Sequence, residues 1–329
     1  MSSHPKVYII ILNWNGLADT SECLQSLQKI SYSNYQAVIV DNGSNNDEGA
    51  ILQQQFSDYV NVIQNKENLG FSGGNNAGIK YALQQSDVAY ILLLNNDTVV
   101  TEDFLTKLIV RAESNPKIGV VGPKIITPGG DIQPECARNL PTLWDHYCLN
   151  TFLNRIWRRS NIFNHYYLGG FDRLTPRKVE LVLGAGMLIK KEVFDRSGML
   201  DERFFLCGED VDFCRRVKEN DYSIYYEPRS VITHKVSQSM KKRWYPSLLE
   251  GFINDYRYYQ KHDGRGKATG YRFIIWLTAP GRFLLIEPMF LLTKFLLGKQ
   301  KKPAIGYFTR LRFLFDIYRW RSLLDQRNN

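Results

Sequence analysis

Val88-Ala89-Tyr90-Ile91-Leu92-Leu93-Leu94 runs without a charge into Asn95-Asn96-Asp97-Thr98. A continuous apolar run of this length, rather than an alternating one, is what a strand covered on both faces of its sheet requires. The amides and the acid then sit where that strand leaves the core. Four further runs of the same kind surround it in sequence: Val7–Leu12, Ala37–Val40, Val60–Ile63 and Ile118–Ile126. Between them lie longer amphipathic stretches, Thr20–Gln28, Asn46–Ser57, Gly74–Gln85 and Glu102–Glu113. Strands alternating with helices predict an α/β fold whose central sheet is mostly parallel and flanked by helices. Ligands bind such sheets at the carboxyl ends of the strands. The segments that follow the strands are Asn13-Trp14-Asn15-Gly16, Asp41-Asn42-Gly43-Ser44, Asn65–Gly74 and Asn95-Asn96-Asp97. All are polar or glycine-rich, so they are expected to form one rim.

The chain has 329 residues, enough for one large domain or for a domain with an appendage. Its net charge of +9 is unevenly placed. From Lys235 onward there are 19 basic and 6 acidic residues, a net +13, which leaves the first 234 residues at −4. The N-terminal apolar run is too short for a signal-peptide core, and no window offers ~20 uncharged apolar residues. The nearest, Tyr271–Leu297, is broken by Arg272, Arg282, Glu287 and Lys294 and by two prolines. Five cysteines without a CxxC pair read as reduced thiols, not as a disulfide framework or a zinc site. The expected location is cytoplasmic.

Residues 128–178 read as a long irregular segment rich in aromatics, of the kind that is functional or mobile in a compact domain. Apolar order returns at Val179–Ile189, followed by a helical pattern over Asp210–Glu219 and a strand over Ser223–Tyr226. Four groups could carry chemistry. Asp97 is a carboxylate with few acidic neighbours, which suits Mg²⁺ or Mn²⁺ held together with substrate phosphates, although Asn and Asp also end strands for turn reasons alone. Glu209, Asp210 and Asp212 open a helix, where acids complement its dipole. The preceding Phe204-Phe205 lowers the local polarity, which favours a general base there. The glycines of Asn65–Gly78 could expose backbone N–H groups to a diphosphate, or could simply let helix pack against strand. His234, after Val231-Ile232-Thr233, is a further ligand for a metal at Asp97 or a structural histidine.

These parts match the needs of displacing a nucleoside diphosphate from a sugar, and here the sequence resembles glycosyltransferase family 2, the inverting enzymes of GT-A fold, in its bacterial rhamnosyltransferase-like subgroup. The resemblance rests on Ile9–Gly16, Val40–Ser44, Asn65–Asn75, Leu94–Thr98, Gly184–Ile189 and Leu200–Phe205 running into Gly208–Asp212. It implies a base contact for Asp41, a metal contact for Asp97 and His234, and a neutral Asn95 where the family has the first acid of its DxD motif. Asp210 would be the catalytic base and Glu209 would hold an acceptor hydroxyl. Gly184, Ala185 and Gly186 would line the donor sugar. Asn13, Asn15, Asn68, Gly70, Gly73, Asn75 and Asn96 complete the expected nucleotide- and donor-binding set. The partners implied are a nucleotide-sugar donor, with dTDP-rhamnose favoured over UDP-sugars, and a lipid-linked or glycan acceptor.

The expected division is a catalytic domain over 1–240, with a nucleotide half to about 127, and a helical basic extension over 241–329. Aromatic faces interleaved with Lys and Arg in that extension suit the surface of an anionic membrane, here its inner face. The same pattern fits a helical appendage packed on the catalytic domain, or a homodimer. Nucleic acid is not expected, because the basic residues alternate with aliphatic faces. A nucleotidyltransferase of similar sheet would place Arg and Lys after the first strand, where Asn13-Trp14-Asn15-Gly16 has neither. A sugar-binding relative without activity is the remaining alternative.

Overall fold

A computed structural model describes residues 4–235 and 244–286. They fall into two compact units: residues 4–140 with 172–235, and residues 141–171 with 244–286. Expectations that concern 287–329 lie outside the described residues.

The first unit is built on a nine-stranded sheet. Its strands are β1 (Lys6–Asn13), β2 (Tyr35–Asn42), β3 (Val60–Asn65), β4 (Val88–Asn95), β5 (Thr98–Val100), β6 (Ile118–Ile126), β7 (Arg177–Val179), β8 (Gly186–Lys190) and β9 (Ser223–His234). The helices are α1 (Leu17–Leu27), α2 (Glu48–Gln55), α3 (Gly70–Leu83), α4 (Phe104–Glu113), α7 (Lys191–Ser197) and α8 (Glu209–Glu219). The spatial order is β3-β2-β1-β4-β8-β6-β9-β5, with β7 also on β9. The five apolar runs all form strands, and the central ones are buried on both faces, as at Val7–Ile11 and Ile91–Leu94. Each such Val, Leu or Ile contributes roughly 1.5–3 kcal/mol on burial.

The first four strands are parallel, as the alternation with helices requires. The sheet then becomes mixed. β8 lies antiparallel to β4, with Gly186 opposite Leu94. It is also antiparallel to β6, which runs parallel to β9. The start of β8 and the end of β9 therefore reach the same edge as the carboxyl ends of β1, β2 and β4. β5 pairs antiparallel with β9, and Thr98 lies opposite His234. That register brings the end of the chain's last described strand beside Asp97, 137 residues earlier in sequence.

The segment expected to be irregular contains a 3-10 turn, Pro134–Cys136, and in the second unit α5 (Leu143–Asn150) and α6 (Leu153–Ile156). Helix α5 opens on a capping box: Thr142 Oγ1 accepts from Asp145 N, and the Asp145 side chain accepts from Thr142 N. That pair satisfies two of the otherwise orphaned N-terminal donors and was readable as Thr-x-x-Asp. The second unit also holds α9 (Trp244–His262), α10 (Gly264–Pro280) and a closing π-helical turn, Gly281–Ile286. Its core is aromatic. Tyr258, Tyr259 and Tyr271 are buried, and the ring of His146 meets Tyr271 edge-on at 4.7 Å. Among the described residues no helix is long and apolar enough to cross a membrane. All five cysteines are free thiols.

Candidate active site

The carboxyl edge of the first unit gathers the expected residues into two groups. The first is at Asp97, which the turn between β4 and β5 holds with 3% of its surface exposed. Its Oδ1 lies 3.1 Å from His234 Nε2, and its Oδ2 is buried without a hydrogen-bond partner. Gln133 fixes the imidazole: its amide nitrogen donates to His234 O at 3.0 Å, so its Oε1, 3.2 Å from Nδ1, is the acceptor for a proton there. With Nδ1 turned to Gln133, Nε2 is the ring nitrogen that faces a carboxylate oxygen. Two acceptors at that distance fit a shared cation, as does the orphaned Asp97 Oδ2. Asn95 Nδ2 completes the group 3.3 Å from the same Nε2. Among the described residues no cluster of three or more His, Cys, Asp or Glu could hold a metal. The two donors here leave further ligands to substrate oxygens and water.

The second group is at the start of α8. Cys207 and Gly208 both have positive φ, 69° and 88°, a reversal that turns Glu209 and Asp210 into the first helical turn. Asp210 is 6% exposed, and its Oδ2 accepts a 2.7 Å hydrogen bond from Arg138 Nη2. Its Oδ1 accepts from Val211 N at 2.8 Å. Glu209 is buried with Oε2 unpartnered. Burial, with the Asp210 charge adding to it, pushes the Glu209 carboxyl up to about 8. Gly184 adjoins this group, since a Cβ there would come 3.9 Å from Asp210 Cβ and 3.6 Å from the Phe71 ring. Ala185 O, next in the chain, accepts from Asn95 N at 3.1 Å. Gly184-Ala185 thus links the two groups. Gly186 is instead held by packing, because a Cβ there would press on Ile232 and Pro123.

The β1–β2 side of the rim is braced internally. Asp41 is wholly buried, and its carboxylate accepts from Asn13 Nδ2, Ser44 N, Gly49 N and Gln64 Nε2. Asn13 is equally buried, donating also to Ser44 Oγ and Glu48 Oε2 and accepting from Thr20. As placed, both residues tie loops together and expose no acceptor surface. Asn15 remains exposed, with its Oδ1 taking Asn45 N. Asn96 is half-buried and lies against Gly16, where a Cβ would approach its amide to 2.6 Å.

The glycine-rich loop does not leave its first amides open. Leu69 N donates to Asn42 Oδ1, Gly70 N to Asn68 Oδ1, and Phe71 N to Phe205 O. Ser72 Oγ donates to Phe204 O, and Asn76 Nδ2 to Leu200 O. The start of α3 is therefore bound to the 200–205 segment, which leads to the carboxylate pair. Gly70 has φ +74°, and a Cβ there would reach Phe205 O at 2.5 Å. Gly73 packs under Leu69, and Asn75 caps Phe71 O. Close packing accounts for these glycines; a cradle of free N–H groups at 69–71 does not. Sequence reasoning passed over Arg138, Gln133 and Glu48. Glu48 Oε2 accepts from both Asn13 Nδ2 and Gly16 N, and its place directly after the turn-favouring pair Asn46-Asp47, at the start of α2, was the available signal.

Residues 8–196 match the family model described as glycosyl transferase family 2. A low-salt glycan biosynthesis hexosyltransferase, Agl10, of Haloferax volcanii is 27% identical over 66% of the chain and 62% of its own length. An N-acetylglucosaminyl-diphospho-decaprenol L-rhamnosyltransferase of Mycobacterium tuberculosis is 25% identical over 66% of the chain and 71% of its own length. The chain thus spans less than two thirds of the first relative. In fold it is similar to GalNAc-T7, crystallised with UDP, GalNAc and Mn²⁺: TM-score 0.56 at 15% identity, over 79% of this chain and 48% of that one.

Proposed function

Because the chain belongs to glycosyltransferase family 2, we propose that it moves a sugar from a nucleoside-diphosphate donor to an acceptor hydroxyl, inverting the anomeric carbon. The observation that carries this reading is the meeting, on one sheet edge, of Asp97, whose Oδ1 faces His234 Nε2 and whose Oδ2 is orphaned, with a buried carboxylate pair at 209–210. Mg²⁺ or Mn²⁺ would be held by Asp97 and His234, and when bound it would offset charge growing on the leaving diphosphate. The Mn²⁺ and UDP of GalNAc-T7 and the rhamnosyl and hexosyl names of the relatives support it.

The chain's own residues supply the rest. Asp210 keeps a free lone pair on each oxygen beside its bonds to Arg138 and Val211, and takes the proton of the acceptor hydroxyl. As that oxygen bonds to the anomeric carbon, the bond from carbon to the diphosphate oxygen breaks and the nucleoside diphosphate leaves. The transition state has oxocarbenium character. Glu209, protonated near neutral pH, donates a hydrogen bond to the acceptor. Gly184 keeps the space between Phe71 and Asp210 open for the sugar ring. Asn15 and Asn96 face the nucleotide. We infer dTDP-rhamnose as the favoured donor and a lipid-linked acceptor in cell-surface glycan synthesis. The same reading includes a catalytic domain over 1–240 and a basic extension that meets the inner face of the membrane.

The test is release of nucleoside diphosphate from dTDP-rhamnose and UDP-sugars with added Mn²⁺ or Mg²⁺, beside nucleotide affinity of Asp97→Ala. Turnover that needs the metal, and at least tenfold weaker nucleotide binding by the variant in its presence, are expected. No turnover of any donor together with unchanged nucleotide affinity sinks the reading.

A further inference from the structure

The second unit exposes an apolar surface that the transfer chemistry does not use. Trp144 and Trp157 are 45% and 48% exposed, and Ile156 and Ile162 are each 66% exposed. They are contiguous. Trp157 stacks on Phe163 at 4.8 Å, Trp144 lies 6.1 Å from the same ring, and Trp144 Nε1 donates to Ile162 O. The indole N–H is thereby already bonded while 45% of the residue is open to water. A fixed apolar cluster this exposed marks an interaction site.

The charge around it names the occupant. Arg155, Arg158 and Arg159 are exposed within the same short stretch, and Arg155 lies over the Phe152 ring at 4.6 Å. No Asp or Glu occurs between Asp145 and Asp172, and Asp145 is buried. We propose that Trp144, Ile156, Trp157 and Ile162 with these three arginines dock on an anionic lipid bilayer, the apolar side chains entering the interface and the guanidiniums meeting headgroups. A glycan platform fits less well: the most exposed groups are aliphatic, and Trp144 and Trp157 already stack on Tyr147 and Phe163. This surface lies outside the basic extension. Its purpose rests on the lipid-linked acceptor proposed above, while its physics rests on the surface alone.

The test is co-sedimentation of the full chain with vesicles of phosphatidylglycerol and phosphatidylcholine, against phosphatidylcholine alone. Arg155→Gln with Arg158→Gln and Arg159→Gln is expected to weaken binding roughly 100-fold, at ~1 kcal/mol per basic residue near the surface. Trp157→Glu with Ile162→Glu should weaken it at every salt concentration. All five side chains are exposed, so an unchanged melting temperature checks folding. Wild-type retention of binding by both variants, or no preference of the parent for anionic vesicles, overturns the proposal. Vesicle binding retained while transfer to a soluble acceptor is lost overturns it in favour of a sugar platform. A dimer seen by light scattering and broken by the same variants, without vesicle binding, assigns the face to a second copy and also overturns it. Variants that lose vesicle binding in a protein that turns over no donor leave the surface standing and the transferase reading refuted.

Discussion

Replacing Arg138 by Met separates the parts of the carboxylate group most sharply. Arg138 and Asp210 have side chains 9% and 7% exposed and meet at 2.7 Å, so neither charge has much water to fall back on. Removing one partner of such a pair leaves a buried charge uncompensated and typically costs ~3–5 kcal/mol. Replacing both partners removes the charge together with its counter-charge, and most of the loss should return. Arg138→Met alone is thus expected to lower the melting temperature of the sheet-bearing unit by roughly 5–15 °C, at a few degrees per kcal/mol for a unit of this size. Arg138→Met with Asp210→Asn should recover more than half of that. Scanning calorimetry on the parent, both single variants and the double variant closes the cycle. A loss below ~1 kcal/mol for Arg138→Met, or a double variant no more stable than Arg138→Met, would show that the pair is not coupled as its geometry says. In the mechanism proposed above Arg138 orients Asp210 without touching the reacting atoms, so Arg138→Lys should keep more transfer activity than Arg138→Met.

Glu209 predicts a pH dependence. Its folded pKa, about 8, stands above its ordinary 4.5, so its contribution to stability is complete below 4.5 and is lost as pH rises through 8. Between those values stability should fall by up to about 1.4 kcal/mol per pH unit from this group. Glu209→Gln should flatten the slope of melting temperature against pH, and equal slopes in both proteins would refute the assignment. Gly70→Ala puts a side chain at φ +74° against Phe205 O and should cost ~1–3 kcal/mol in strain alone. Limited proteolysis should then cut faster within 200–208; an unchanged rate and melting temperature would mean that the loop adapts freely.

The strands were legible because their cause is local. Val7–Leu12 or Val88–Leu94 admits little besides a strand buried on both faces, and the polar residues at their ends mark the edge. The meeting of Asp97 with His234 was foreshadowed by side-chain chemistry and by the family resemblance; what brings them together is β5 pairing with β9, and β5 is only three residues long. Arg138 was hidden for a different reason. It lies in a stretch without periodicity and acts across 72 residues, so nothing near it in sequence reports its partner. The glycine loop misled in part, because Gly before a helix signals available N–H groups only when no other backbone takes them. Here Phe205 O does. Asp41 was placed correctly at the end of β2, but its four donors come from β1, the loop after β2, α2 and β3, which no single run of residues displays.

The bond from Ser72 to Phe204 spans 132 residues, and its neighbour from Phe71 to Phe205 is of the same reach. On a ribosome adding ~5–20 residues per second, the start of α3 exists for roughly ten seconds before its partner segment has been made. Water must satisfy those donors through that interval, and the first sheet strands stand beside an unfinished edge. The part of the protein synthesised earliest is thus completed among the last, and a pause in translation between the two segments would lengthen its exposure in direct proportion.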